Sequence, residues 1–154
     1  MAAASVLGAR LSQPGNFIRG PRPSDQSYIA STWVRQLAGT DKRNAVGARF
    51  GNHGRTVDAL FDRPDTRAIV RHAPGDPDAI RAWLVYAEGP GVPLVHFCYA
   101  RKQHREQGYA RALLAHVGIR PDVAFVHTST SPSGRLLLKS YPGAAFLPLA
   151  EFLA

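Results

Sequence analysis

The run Val92–Ala100, VPLVHFCYA, is followed at once by RKQHREQ and then by GYARALLAHVG. An almost unbroken apolar run of this length reads as a strand buried on both faces. The segment from about Gln107 reads as a helix, with Ala110, Leu113, Leu114 and Val117 as its apolar stripe and Gly118 as its stop. Asp122–Ser129, DVAFVHTS, is a second strand. A helix between two such strands implies a parallel βαβ unit, because parallel neighbours need a crossover connection. This constrains the fold more than any other feature of the chain.

The rest of the chain adds antiparallel pairs. Asn16–Gly20 is a short strand, and a helix opens at Pro23, where Ser24 and Asp25 lie at its positive end. Ile29, Trp33, Val34 and Leu37 follow at helical spacing, with Gly39 as the stop. The glycine-rich basic stretch DKRNAVGARFGNHGR, residues 41–55, reads as a loop, and Thr56–Arg63 as a short helix ended by Pro64. Thr66–Ala73 and Ala79–Gly89 are strands, and Pro90-Gly91 predicts a hairpin into the third. SPSGRLLLKSY is a short helix opened by Ser131 and Pro132. AAFLPLAEFL closes the chain as a strand, or a strand pair interrupted by Pro148. The order β-α-α-β-β-β-α-β-α-β makes an α/β fold built on a mixed sheet. A flexible N-terminus over residues 1–15 and one domain over 16–154 complete the expected organisation.

One cysteine, Cys98, excludes an intramolecular disulfide and fits a reducing cytoplasm. No secretory pattern opens the chain, no apolar run reaches the length of a membrane span, and no Cys/His spacing marks a metal site. The net charge is +8, and residues 1–55 carry eight basic against two acidic side chains. That excess fits an anionic partner, whether a small molecule, an acidic protein or a nucleic acid; ordinary solubility of an arginine-rich chain is the competing reading.

The basic turn between strand and helix carries chemistry. A helix N-terminus presents unpaired N–H groups and the positive end of a dipole, which together favour an anion. Gly108 lets a ligand approach the backbone, and Arg101, Lys102, Arg105 and Arg111 could add charge-assisted contacts to phosphate. Neither a Walker loop nor a dinucleotide-binding glycine fingerprint is present. The spacing Arg105-x-x-Gly108-x-Ala110 fits a pyrophosphate cradle, or a basic and solvated first helical turn.

That spacing resembles the pyrophosphate-binding turn of the GNAT superfamily of acyl-CoA N-acyltransferases, [R/Q]-x-x-G-x-[G/A]. IRGPRPSDQSYI, Ile18–Ile29, is similar to the family's opening I-R-x-x-x-x-x-D-x-x-x-I, and Tyr141 and Phe146 have the spacing of its aromatic pair. The likeness spans about residues 16–147. STWVRQ in the first helix is also similar to small GNAT-like proteins of tailed phages. The resemblance implies a GNAT-like fold whose fourth and fifth strands splay apart. It implies acetyl-CoA as acyl donor, with Phe97, Cys98, Tyr99 and Ala100 along the pantetheine arm. Arg105, Glu106, Gln107, Gly108, Tyr109, Ala110 and Arg111 would lie around the pyrophosphate. It implies acceptor binding near Trp33, Arg35 and the basic loop, and leaves room for a homodimer formed through the last strands.

Acyl transfer from a thioester to an amine needs a neutral amine, a donor for the developing oxyanion and a proton for the departing thiolate. The resemblance assigns that last role to Tyr141, although Pro142 disfavours a helical conformation there. His96 is the first candidate base, because imidazole titrates near neutral pH; Glu88 is the second. His127 on the neighbouring strand reaches toward substrate or toward His96. Cys98 could form an acyl-enzyme or simply pack in the core. Three readings stand: an acetyl-CoA-dependent N-acyltransferase, a binding protein on the same scaffold without catalysis, and a nucleic-acid-modifying enzyme.

Overall fold

The computed structural model describes residues 17–41, 50–105, 107–129 and 132–153. Strand β1 (Ile18–Arg19) leads into helix α1 (Pro23–Asp41), and helix α2 (Phe50–Phe61) precedes strands β2 (Thr66–Ala73), β3 (Asp76–Ala87) and β4 (Leu94–Ala100). A 3₁₀ turn (Lys102–His104) then leads to helix α3 (Tyr109–His116), strand β5 (Phe125–His127), helix α4 (Pro132–Leu138), strand β6 (Ala144–Phe146) and helix α5 (Leu149–Leu153). The six strands lie side by side in chain order. The first four pair antiparallel, and β4–β5 and β5–β6 pair parallel. This is the mixed α/β sheet expected from the sequence. No helix among the described residues is long and apolar enough to cross a membrane.

The sheet separates two apolar cores. Successive strand residues point to opposite faces, so Leu84 packs with Val95, Leu113, Leu114 and Phe125 beneath α3 and α4. Its neighbours Trp83 and Val85 pack with Ile29, Trp33, Val57, Leu60 and Phe97 beneath α1 and α2. The start of α1 is set by charge and hydrogen bonds. Asp25 accepts the Arg22 N–H at 2.7 Å and pairs with Arg19. The Arg19 guanidinium holds its carboxyl below the usual carboxylate range, against the opposing effect of burial.

Three elements differ from expectation. Helix α2 begins at Phe50, so residues 50–55 are not loop; residues 42–49 and 1–16 lie outside the described residues. Glycines and an asparagine weaken its helix propensity, yet Val57 and Leu60 are wholly buried against α1, and that packing prevails. Helix α1 runs past Gly39 to Asp41. The chain end is not a strand pair. Pro148 opens α5 instead, its carbonyl accepting the Glu151 and Phe152 N–H groups, as suits a residue that cannot donate within a helix.

Strand β4 carries the feature that shapes the site. Val85 faces Phe97 across the ladder, but Tyr86 faces Val95, which leaves His96 as an extra residue. This is a β-bulge, which bends a strand and interrupts its pairing. It also shifts the side-chain alternation: Val95, Cys98 and Ala100 face α3 and α4, whereas Phe97 and Tyr99 face α1 and α2. Beyond the bulge β4 leaves β5. Their register pairs are Leu94 with Val126 and Val95 with His127, and Thr128 N–H closes the contact on the Val95 carbonyl at 3.0 Å. From Phe97 onward the two strands part, as the family resemblance implied.

Candidate functional site

The parted strands form a cleft. Its wide part, about 870 Å³, is lined by Phe97, Cys98, Tyr99 and Ala100 of β4, by Gly108–Arg111 at the start of α3, and by Gly134, Leu136 and Leu137 of α4. Lys102, His104 and Arg105 line it from the intervening turn, and Gln36 of α1 from the other side. Its narrow apex lies where β4 and β5 converge, between Phe97, Cys98, His127 and Ser129. The sheet therefore opens into a groove that runs from a helix N-terminus to a strand junction.

The mouth of the groove is built for an anion. Gly108 caps α3 in the left-handed region, φ 78°, and offers no side-chain cap. Its carbonyl accepts the Ala112 N–H, the first hydrogen bond of the helix, so the N–H groups before it are not used by the helix itself. A Cβ at Gly108 would meet no atom within 4 Å, so the space over the backbone is open. The Arg105 Nε–H bonds the Ala100 carbonyl at 3.1 Å, which draws the turn back over the strand end. Arg101 donates to the Tyr28 hydroxyl at 3.2 Å and Arg111 to Ser140 Oγ at 2.8 Å. Lys102 and Gln107 are exposed, and Glu106 lies outside the described residues. Tyr109 turns inward, accepting from Arg81 at 2.8 Å, with the Arg71 guanidinium 4.5 Å from its ring centre. Local positive charge and free backbone donors thus coincide at one end of the groove.

The catalytic candidates are dispersed. His96 is wholly buried on the α1 side, its ring 6.5 Å from that of Trp33 and 4.9 Å from that of Phe152. Burial lowers its pKa to about 4, so it is uncharged at neutral pH. Its Nδ1 pairs with Thr128 Oγ1, and its buried Nε2 has no partner among the described residues. Glu88 is exposed beyond the end of β3 and pairs with Arg67 at 2.9 Å. Tyr141 follows α4 and packs edge-on against Phe125, 5.9 Å between ring centres, and lines neither the groove nor its apex. Burial raises its pKa. Cys98 does line the cleft, and burial pushes its thiol up to about 12. Trp33 is wholly buried in the core, and Arg35 is exposed on the same helix.

The wall from α4 and the contribution of Gln36 were not apparent from the sequence. Leu136 and Leu137 read there as ordinary helix residues. Gln36 lies three residues beyond Trp33, and that helical spacing was the available signal. Among the described residues no group of histidine, cysteine and acidic side chains could hold a metal ion.

Neither a protein-family model nor a curated protein matches the sequence. Solved structures do match the fold. A possible acetyltransferase from Clostridium difficile 630 superposes with a TM-score of 0.54 at 16% identity, over 80% of this chain and 85% of that one. The ribosomal-protein-alanine N-acetyltransferase from Brucella melitensis biovar Abortus 2308 gives 0.54 at 16% identity, over 83% and 91%. A transcriptional regulator from Bacillus halodurans C-125 gives 0.52 at 12% identity, over 80% and 87%. One fold hosts several functions, and likeness at this identity speaks to architecture. The chain has the mixed α/β fold of the GNAT acetyltransferases.

Proposed function

We propose that this protein is an acyl-CoA-dependent N-acyltransferase, with acetyl-CoA as donor and an amine as acceptor. The observation that carries the reading is the junction of two features in one groove. The cleft left by the parting of β4 and β5 begins at the open, positively charged N-terminus of α3. A long ligand with an anionic end and an uncharged arm suits that shape. The N–H groups around Gly108, with Arg105 and Lys102 nearby, would hold the pyrophosphate. The backbone of Phe97–Ala100, free of β5 on that edge, would pair with the pantetheine amides. A CoA thioester supplies an activated acyl group, and the chain supplies position and a dry setting.

The acceptor would approach from the α1 side, where Gln36 and Tyr99 line the cleft and Arg35 is exposed nearby. Excess positive charge in residues 1–55 favours an anionic acceptor. The test is calorimetric titration with CoA and acetyl-CoA, with thermal unfolding as a second readout, since a ligand that binds only the folded chain raises its stability. Saturable binding and a raised Tm are expected. An unchanged Tm and no heat of binding would favour the non-catalytic reading of the scaffold.

A further inference from the structure

The apex of the cleft is small and mostly apolar. About 50 Å³ is open to the centres of water-sized spheres, and one water takes roughly 10–15 Å³ on that measure, so the apex admits about four non-hydrogen atoms. Among its side chains only Cys98, His127 and Ser129 are polar. The Cys98 thiol stays protonated, because burial pushes its pKa up to about 12. The Ser129 hydroxyl neither accepts nor releases a proton readily at neutral pH. His127 differs from both. The residue is 8% exposed; its Nδ1 is buried without a hydrogen-bond partner among the described residues, and the Ser129 backbone interacts with its ring. It is the one side chain lining the apex that can take up and release a proton near neutral pH.

Position agrees with chemistry. Val126 N–H bonds the Pro93 carbonyl at 2.9 Å and Thr128 N–H bonds the Val95 carbonyl at 3.0 Å, so His127 is clamped beside β4 at the fork. Its ring lies against Phe146, 5.3 Å between centres. The bulge at His96 turns that histidine to the opposite face, toward Trp33 and Phe152. Glu88 is held in an ion pair outside the cleft, and Tyr141 does not line it.

We propose that His127 carries the proton during acyl transfer at this apex. The proposal rests on the donor reading of the cleft. In the step, the acceptor nitrogen bonds the thioester carbonyl carbon, and the C–S bond breaks with its electron pair going to sulfur. The proton released from nitrogen moves to the His127 imidazole and from it to the thiolate. An amide and a free thiol leave, and the imidazole returns to its uncharged form. Burial lowers the pKa of His127, against an opposing hydrogen bond to the Ser129 backbone, which leaves it uncharged and able to accept that proton.

The test uses the full chain labelled with ¹⁵N-histidine, His127→Asn to assign the resonances, and CoA and desulfo-CoA as probes. A ring-nitrogen resonance of His127 is expected to move on saturation with CoA and to stay in place with desulfo-CoA, which lacks the thiol. His127→Asn is expected to bind CoA within about threefold of the parent. For any amine the parent acetylates, it should lose about a hundredfold or more in turnover, the scale of a general base. Ring-nitrogen resonances of His127 that ignore CoA, or respond equally to both compounds, overturn the proposal. So does a His127→Asn variant that turns over like the parent. If neither compound binds, the donor reading itself falls and takes this inference with it.

Discussion

His96 Nδ1 and Thr128 Oγ1 share a hydrogen bond of 3.0 Å that ties β4 to the end of β5 at the point where the strands part. Both residues are buried. Thr128→Val keeps the shape and removes the hydroxyl, which would leave the imidazole with neither nitrogen paired. An unsatisfied buried polar group costs about 1–3 kcal/mol. Urea unfolding should show a loss of that size, and Thr128→Ser should recover most of it.

The same histidine makes stability depend on pH. Its pKa in the folded chain is about 4, against an ordinary 6.5. Between those values the unfolded chain binds a proton that the folded chain refuses, so stability falls as pH drops from 6.5 toward 4. The full loss is roughly 3 kcal/mol, taking about 1.4 kcal/mol for each pH unit. His127, also lowered, acts in the same direction. Asp25 acts later, since its lowered pKa contributes stability that is lost only as pH falls through that value. His96→Leu should flatten the slope between pH 6.5 and 4 in denaturant titrations.

Gly108 separates binding from folding. Its φ of 78° strains other residues, but a side chain there meets open space. Gly108→Asp should therefore cost about 1–2 kcal/mol of stability, the scale of left-handed strain in a non-glycine residue. It should also abolish CoA binding by placing a carboxylate where phosphate would lie. Calorimetry on the folded variant checks both. Undiminished affinity would remove the turn from the donor site.

Tyr141→Phe distinguishes two proton sources. If His127 serves the thiolate, the Tyr141 hydroxyl is dispensable, and turnover should stay within about threefold of the parent. A fall of about a hundredfold, the scale of acid catalysis, would return the role to Tyr141. Its ring packs on Phe125 in either case, so the melting temperature should change little.

The strand–helix–strand run from Val92 to Ser129 could be read from the sequence because its periods are unambiguous and its turn residues agree with them. Gly108 at the start of α3 and Gly118 past its end both have positive φ, the conformation that glycine supplies most cheaply. What escaped was decided by tertiary contact. Residues 50–55 are helical because Val57 and Leu60 bury themselves against α1, although the local glycines argue otherwise. Pro148 reads equally as a strand breaker and a helix opener. The bulge at His96 has no local signature; it follows from how β4 registers on β3. Hence the pattern placed His96 beside the cleft, and the register turned it away.

That register shift also bears on how descendants of this chain can change. The bulge sets Phe97 and Tyr99 on one layer and Cys98 and Ala100 on the other, although all four border one cleft. Losing His96 alone would leave Tyr86 facing Val95 and Val85 facing Phe97, restore plain alternation, and keep all four side chains on their layers. Position 96 is therefore the one place on this strand where a change of length leaves the cleft-lining side chains where they are.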